Sequence, residues 1–150
     1  MYTVTVRPLR TDEHDAWLRM RRALFPDVDD AMHRYEMARH RDLGTGATVL
    51  VADAGGVPAG FAELTVRSRV EGSMEDRVGY LEAWWVAPPH RGSGVGRRLI
   101  AAAEQWTRDR GLVELASDAD LGDDDAIAAH RAVGFRETFR IVQFSKRLDG

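Results

Sequence analysis

The sequence predicts an α/β or α+β fold built around one mixed β-sheet, and three observations carry this prediction. Short β-branched and aromatic runs alternate along the chain with apolar patterns of helical period. Glycine and proline separate these runs. The predicted order is β-α-α-β-β-β-α-β-α-β, with the last strand single or double, and this order fits neither a purely doubly wound sheet nor a sandwich. A length of 150 residues predicts one domain, spanning 1–150.

The N-terminal half predicts a strand, two helices and a hairpin. Residues 3–7 alternate in polarity as a strand does. Trp17 and Leu24 share one helical stripe, and Pro26 ends that helix. A second helix is predicted over 29–41, because it begins at an Asp-rich cap. The hairpin has its turn at Gly55-Gly56 and its strands at 47–54 and 58–70.

The C-terminal half predicts further strands around two helices. Residues 78–86 form a strongly apolar strand with one acidic residue inside it, and two prolines follow. Val95, Leu99 and Ala103 make an apolar helical stripe over 94–110, and Gly111 is typical of a helix C-terminus. The remaining predicted elements are a strand at 113–117, a helix at 124–133 and one or two strands over 135–147.

Composition excludes several kinds of chemistry and of partner. Without any cysteine, the chain has no disulfide, thiolate nucleophile or zinc-thiolate site, and we expect no metal. A net charge of −3 argues against general affinity for nucleic acid. No apolar run approaches the ~20 residues that span a bilayer, so no membrane partner is expected. The N-terminus lacks the pattern of a signal peptide, which predicts a cytoplasmic protein.

One stretch of the chain is strongly acidic. Residues 112–129 contain six Asp or Glu residues and no Lys or Arg. Such a stretch is typical of a rim that binds cations or amines. A solvated loop and helix start explains it equally well, because Asp is common in loops and at N-caps.

A glycine-rich turn precedes the clearest helix. Gly92, Gly94 and Gly96 follow the apolar strand and allow a ligand to approach the backbone closely. The helix N-terminus offers free N–H groups, and Arg91 and Arg97 add positive charge. The turn lacks the Lys-Ser/Thr of a P-loop, and its spacing differs from that of the dinucleotide-binding fingerprint. We therefore expect a phosphate-binding turn of another kind.

The pattern Arg91-x-x-Gly94-x-Gly96, between an apolar strand and a long helix, resembles the acyl-coenzyme A signature of the GNAT acetyltransferases. Over nearly its whole length the chain further resembles the aminoglycoside 6'-N-acetyltransferases of that superfamily. The matching stretches are Met20-Arg21-Arg22-Ala23-Leu24-Phe25-Pro26, Gly60-Phe61-Ala62, Leu81-Glu82-Ala83-Trp84-Trp85-Val86, Glu114-Leu115-Ala116-Ser117-Asp118 and His130-Arg131-Ala132-Val133-Gly134-Phe135-Arg136-Glu137-Thr138.

This resemblance implies a GNAT-type fold and a coenzyme site. The implied fold is a mixed, mostly antiparallel sheet of six to seven strands flanked by about four helices. The implied co-substrate is acetyl-coenzyme A, whose pyrophosphate would lie on the glycine-rich turn, and the backbone of the preceding strand would bind the pantetheine arm. The implied coenzyme-binding residues are Trp84, Trp85, Val86, Arg91, Gly92, Ser93, Gly94, Val95, Gly96, Arg97 and Asp123, which stands where relatives carry Asn.

The resemblance also implies the acceptor chemistry. The amine that accepts the acetyl group must lose a proton before it attacks the thioester directly in a ternary complex. Glu82 is the first candidate base, because burial in an apolar strand strengthens a carboxylate as a proton acceptor. Asp118 ends the next strand and is the second candidate, while Phe25 is expected to contact the substrate. His130 stands near the position of the family's tyrosine, and no general acid is assigned.

Some positions depart from the aminoglycoside pattern and keep alternatives open. Phe25 replaces a tryptophan, Phe139 replaces an acidic residue, and Arg67 and Arg69 stand where relatives carry acidic or aromatic residues and would repel a polyamine. The alternative functions are acetylation of a protein N-terminus or a metabolite amine, and non-catalytic sensing of acyl-coenzyme A. Relatives pair through the last strand, so the aromatic residues of 135–147 also predict a homodimer.

Overall fold

The computed structural model describes residues 3–149 and has one five-stranded sheet with helices on both faces. The strands are β1 (Val4–Pro8), β2 (Ala47–Ala54), β3 (Val57–Ser68), β4 (Arg77–Val86) and β5 (Leu115–Ser117). The α-helices are α1 (His14–Leu24), α2 (Asp30–Asp42), α3 (Val95–Asp109) and α4 (Asp124–Ala132). Short 3₁₀ turns lie at Gly44–Gly46 and Pro88–His90.

The strands lie in the order β1-β2-β3-β4-β5. Neighbouring strands are antiparallel except β4 and β5, which run parallel. The mixed, mostly antiparallel sheet and the four α-helices predicted from the sequence are therefore confirmed. Within residues 3–149, no helix is both long enough and apolar enough to cross a membrane.

The prediction of six to seven strands is wrong for the described chain. Residues 135–147, predicted as one or two strands, form no strand. A strand needs a neighbour for its backbone hydrogen bonds, and this segment pairs with none among residues 3–149. The edge strand β5 is only three residues long. Apolar side chains of the segment stay exposed instead, among them Phe139, Val142 and Phe144.

Two apolar clusters hold helices on opposite faces of the sheet. On one face α3 buries Val95, Leu99 and Ala103 against residues of β2, β3 and β4. On the other face Trp17 and Met20 of α1 pack with Met37 of α2, Phe61 and Ala83. Fully burying such a side chain contributes about 1.5–3 kcal/mol. The sheet therefore has an α3 face and an α1/α2 face, and residues that alternate along β4 are divided between them.

Candidate active site

Strands β4 and β5 separate after a short run of pairing. Their parallel pairing ends with Leu81 opposite Ser117, whereas β4 continues to Val86. Residues 83–86 stay paired with β3 on one side and have no strand on the other side within residues 3–149. Unpaired backbone groups at a strand edge are available to a bound ligand. We call the unpaired edge of residues 83–86, which leads to the N-terminus of α3, the groove.

The N-terminus of α3 is uncapped. Gly94 is its N-cap, with a φ of 88°, and no side chain among residues 3–149 accepts a hydrogen bond from the first turn. Arg98 is the first residue whose N–H donates to a backbone carbonyl of the helix, that of Gly94, at 3.0 Å. Gly92 also has a positive φ, of 76°, and at both glycines the space that a Cβ would take is open. Free N–H groups at the positive end of a helix make an anion site.

The polar side chains of the turn hold its shape. The Nε–H of Arg91 donates to the Val86 carbonyl at 2.8 Å, and the Ser93 hydroxyl donates to the His90 carbonyl at 2.8 Å. Arg97 donates to the Ala132 carbonyl at the end of α4, at 2.8 Å. These contacts join the turn to β4 and to α4, so the arginines shape the turn as well as adding charge.

The three apolar residues predicted to bind the coenzyme divide between the faces of the sheet. Trp84 and Val86 pack on the α3 face, whereas Trp85 packs on the α1/α2 face with Phe25. Gly96 lies close to Trp84, since a Cβ there would sit 3.3 Å from the Cζ2 atom of the indole. The indole N–H of Trp84 is buried and has no hydrogen-bond partner within the described part of the chain. Gly96 is thus needed for close packing of the helix on the strand.

Glu82 lies at a β-bulge. Ala83 pairs with Glu63 and Leu81 pairs with Leu64, so Glu82 is the extra residue on β4. A bulge leaves its extra residue out of the ladder and redirects the side chain. The Thr65 hydroxyl donates to Oε2 of Glu82 at 2.8 Å. The carboxylate therefore lies on the α1/α2 face, where Thr65 follows Glu63 by strand alternation.

The surroundings of Glu82 are polar, not apolar as the sequence suggested. Arg67 donates from Nε to Oε2 at 2.8 Å and from Nη2 to Oε1 at 2.5 Å. The side chain of Glu82 is 23% exposed and that of Arg67 is 46% exposed. The expectation of a base buried among apolar groups is wrong, because a guanidinium two residues beyond Thr65 on β3 neutralises the carboxylate.

Asp118, directly after β5, joins the same group of side chains. It accepts a hydrogen bond from the Tyr80 hydroxyl. Burial raises the pKa of the Tyr80 hydroxyl well above its ordinary value, and the hydrogen bond to Asp118 raises it further, so Tyr80 remains a donor. The Arg67 guanidinium lies over the Tyr80 ring, 3.7 Å from its centroid. We call Thr65, Arg67, Tyr80, Glu82 and Asp118 the acceptor cluster.

The other predicted residues have different surroundings. Asp123 caps α4, because its side chain accepts a hydrogen bond from the Ala126 N–H at 3.0 Å. Asp124 and Asp125 lie in the first turn of that helix, where acidic side chains favour the helix dipole. Three of the six acidic residues of 112–129 therefore stabilise the N-terminus of α4. Phe25 follows α1 and packs in the α1/α2 cluster.

His130 has both ring nitrogens engaged. Its Nδ1 lies 2.7 Å from the Ala126 carbonyl oxygen, which can only accept, so Nδ1 carries the proton. Its Nε2 lies 2.8 Å from Oγ of Ser117, the residue at which the pairing of β4 and β5 ends. The ring also packs edge-on against Trp84, with centroids 5.4 Å apart. His130 therefore connects α4 to the groove.

Sequence reasoning missed three members of the acceptor cluster and one buried network. The sequence patterns indicate no role for Thr65 or Tyr80, and at Arg67 they indicate only a repelling charge. The available signal was spacing, because Thr65 and Arg67 follow Glu63 at strand period and Tyr80 precedes Glu82 by two residues. The buried network joins Arg21 of α1 to Glu63 at 2.7 and 2.5 Å, and Trp17 donates to the same carboxylate at 2.9 Å.

Within residues 3–149, no group of three or more His, Asp or Glu side chains is arranged to hold a metal ion. The groove, the uncapped helix and the acceptor cluster are three features that can bind ligands. The first suits an extended chain, the second an anion and the third a cation.

Comparisons with known proteins place this geometry in a family. The model of the acetyltransferase (GNAT) family matches residues 11–135. An aminoglycoside N(6')-acetyltransferase type 1 from Stenotrophomonas maltophilia is 44% identical over 97% of this chain and 94% of its own length. One from Klebsiella aerogenes is 40% identical over 95% of this chain and 96% of its own.

Solved structures agree with the sequence comparisons. The apo crystal structure of an aminoglycoside antibiotic 6'-N-acetyltransferase from Acinetobacter haemolyticus has a TM-score of 0.90 at 34% identity, covering 97% of this chain and 99% of that one. Another neighbour, AAC(6')-Iy in complex with the bisubstrate analogue CoA-S-monomethyl-acetylneamine, has a TM-score of 0.89 at 30% identity and covers 97% of this chain and 99% of that one. The chain belongs to the GNAT family of acetyltransferases.

Proposed function

We propose that the protein is an acetyl-coenzyme A-dependent N-acetyltransferase that acts on the 6'-amino group of aminoglycosides, as a single domain over 1–150. The observation that carries the proposal is the placement of two carboxylates, Glu82 and Asp118, where β4 and β5 separate. Substrates with several ammonium groups are attracted to such a cluster. The identity of 44% to a named aminoglycoside N(6')-acetyltransferase, over nearly the whole of both chains, supports the same acceptor.

Acetyl-coenzyme A fits the other half of the groove. The uncapped N-terminus of α3 and the open space at Gly92 and Gly94 suit a pyrophosphate. Residues 91–97 are assigned this role, with Arg91 and Arg97 adding charge. The free edge of Trp84, Trp85 and Val86 suits the amide groups of the pantetheine arm. Asp123 contributes by capping α4.

The residues of the chain bind the amine and hold its proton in the proposed reaction. Glu82 and Asp118 attract the ammonium form of the acceptor, and Phe25 supplies an apolar contact. Bound acetyl-coenzyme A supplies the activated acetyl group. The amine nitrogen forms a bond to the acetyl carbon, the carbon–sulfur bond breaks, and coenzyme A leaves as a thiolate, which takes up the second proton that the nitrogen loses, directly or through water. Glu82 accepts the proton that the ammonium loses, directly or through water.

Acetyl-coenzyme A is a metabolite of the cytoplasm, so the proposal includes a cytoplasmic location.

The proposal also includes a homodimer. The segment 136–148 exposes Phe139, Ile141 and Phe144, and β5 has an unpaired outer edge within the described residues. A second copy of the segment, added to that edge, would bury these side chains. Light scattering is expected to report a dimer for the wild type and a monomer for Phe144→Asp, and a monomeric wild type would refute the proposal.

The test of function is release of the coenzyme A thiol from acetyl-coenzyme A. Kanamycin- and gentamicin-type aminoglycosides, polyamines and short peptides are offered side by side. Fast turnover is expected with aminoglycosides that carry a 6'-amine, and none when a hydroxyl replaces that amine. Turnover with peptides or simple polyamines alone would favour a protein N-terminus or a metabolite amine as the acceptor. Tight binding of the coenzyme without turnover on any amine would favour a sensor.

A further inference from the structure

The Arg67 guanidinium holds the position that a cationic substrate needs. It makes two hydrogen bonds to Glu82, one to each carboxylate oxygen, and lies over the Tyr80 ring. Its side chain is nearly half exposed, at 46%, and the partners that hold it in the described part of the chain are the Glu82 carboxylate and the face of the buried Tyr80 ring. Arg67 can therefore leave Glu82 for solvent without breaking the packed core.

The hydrogen bonds of Glu82 leave little room for a second cation. A carboxylate offers about four acceptor sites. Thr65 and Arg67 together already use three of them, two on Oε2 and one on Oε1. The cluster has two negative charges, on Glu82 and Asp118, and one positive charge, on Arg67. An ammonium group that forms a full ion pair with Glu82 must therefore compete with Arg67.

We propose that Arg67 sets the affinity of the acceptor site as a resident cation, which the ammonium group of the acceptor displaces from Glu82. This inference rests on the proposed function, because it requires that an amine binds at Glu82. It makes Arg67 an internal competitor of the acceptor and gives it no part in binding the coenzyme. Between turnovers the Arg67 guanidinium neutralises the Glu82 carboxylate.

The first test is Arg67→Met, which keeps the length of the side chain and removes its charge. The KM for a 6'-amino aminoglycoside is expected to fall about two- to fivefold, the range of a partly exposed ion pair. The KM for acetyl-coenzyme A and kcat are expected to stay within about twofold. The salt dependence of the acceptor KM is expected to steepen, because the cluster becomes more negative by one charge.

Arg77→Met is the matched control. Arg77 is exposed, lies three residues before Tyr80 on β4, and faces the opposite side of the sheet by strand alternation. Both variants change the net charge of the chain equally, so an equal fall in KM in both would overturn the proposal. An unchanged or higher acceptor KM in Arg67→Met would also overturn it.

The second test supplies a guanidinium ion from solution in place of the Arg67 side chain. In Arg67→Ala, guanidinium chloride at about 0.1 M, with sodium chloride at the same ionic strength as the control, is expected to inhibit competitively against the amine and not against acetyl-coenzyme A, and to leave the wild type unaffected. If guanidinium instead restored a lost kcat, Arg67 would be a positioning residue for Glu82 and the proposal would be wrong. The absence of any effect of guanidinium would overturn it as well.

Two further measurements distinguish loss of folding, failure of the proposed function and failure of the role of Arg67. Melting temperatures show whether each variant is folded. If Arg67→Met unfolds, Arg67→Lys takes its place, because lysine keeps the charge and loses the two-pronged contact, and a fall in acceptor KM is again expected. Wild-type turnover is measured first. Its absence would refute the proposed function itself, whereas wild-type turnover with an unchanged KM in the variants would refute only the role of Arg67.

Discussion

Replacing Glu82 by glutamine removes one negative charge from the acceptor cluster and changes the volume of the side chain little. Glutamine can still accept from Thr65, so the local backbone is expected to keep its bulge. The variant loses the charge that attracts the ammonium and the second oxygen that can take its proton. We expect slower turnover with nearly unchanged affinity for the coenzyme.

The size of the effect follows from the contacts of Glu82. A hydrogen bond to a charged group contributes about 1.5–3 kcal/mol. The acceptor must first break the partly exposed pair with Arg67, which is worth up to about 1 kcal/mol. The net loss of binding in Glu82→Gln is therefore about 0.5–3 kcal/mol, or about 2- to 150-fold in kcat/KM for the amine, and the loss of the proton acceptor lowers kcat further. Coenzyme affinity is expected to change less than about twofold, because Glu82 lies on the α1/α2 face and the uncapped helix lies on the other face.

The assay is steady-state thiol release with the amine varied, together with calorimetric titration of coenzyme A. Adding Arg67→Met to Glu82→Gln completes a double-mutant cycle, in which Arg67→Met is expected to have no effect on KM once Glu82 is neutral. Wild-type kcat/KM in Glu82→Gln would remove Glu82 as the base and as the site of the ammonium. A large loss of coenzyme affinity would show that the two faces of the sheet are not independent.

Three other substitutions test the turn, the packing of α3 and one surface pair. Gly94→Val places a β-branched residue at a φ of 88°, so we expect about 1–3 kcal/mol of backbone strain and at least about tenfold weaker binding of coenzyme A. Calorimetric titration measures this affinity, and unchanged binding would exclude this turn as the coenzyme site. Gly79→Ala places a Cβ 2.5 Å from Oγ1 of Thr107, which is expected to lower the melting temperature by about 2–12 °C. Adding Thr107→Ala is expected to restore part of this loss, and equal melting temperatures of wild type and Gly79→Ala would contradict the prediction. Hydrogen bonding to Arg7 lowers the pKa of Glu13 to about 2, so Glu13→Gln is expected to lower the free energy of unfolding by about 1 kcal/mol or less above pH 4.5. In urea titrations this difference from the wild type should vanish as the pH falls through about 2, and a difference independent of pH would contradict the prediction.

The parts of the site that were predictable from the sequence are local in the chain. Gly92 and Gly94 stand directly before an amphipathic helix, so their left-handed backbone and the free helix N-terminus could be inferred from neighbouring residues alone. The pairing of Arg67 with Glu82 could not, because it depends on the register of β3 on β4 and on a bulge that sequence alternation does not reveal.

The errors have a similar physical origin. Alternating apolar and aromatic residues over 135–147 express a preference for a strand, but a strand forms only where another strand accepts its hydrogen bonds. The acidic stretch was ambiguous because Asp serves equally as an N-cap and as a ligand for cations, and Asp123 became the cap while Asp118 joined Tyr80. The sequence predicts apolar surroundings for Glu82 because its neighbours along β4 are apolar, whereas its polar partners Thr65 and Arg67 come from β3.

The bulge at Glu82 explains how one strand serves both halves of the site. Before the bulge, Leu81 packs on the α3 face and Tyr80 on the other face. After it the order reverses, so Trp84 packs toward α3 and Ala83 toward α1 and α2. In a regular ladder Trp84 would share the face of Tyr80, because side chains alternate with a period of two. One extra residue therefore keeps Tyr80 and Glu82 with the acceptor cluster while turning Trp84 toward the helix whose N-terminus is free to bind an anion.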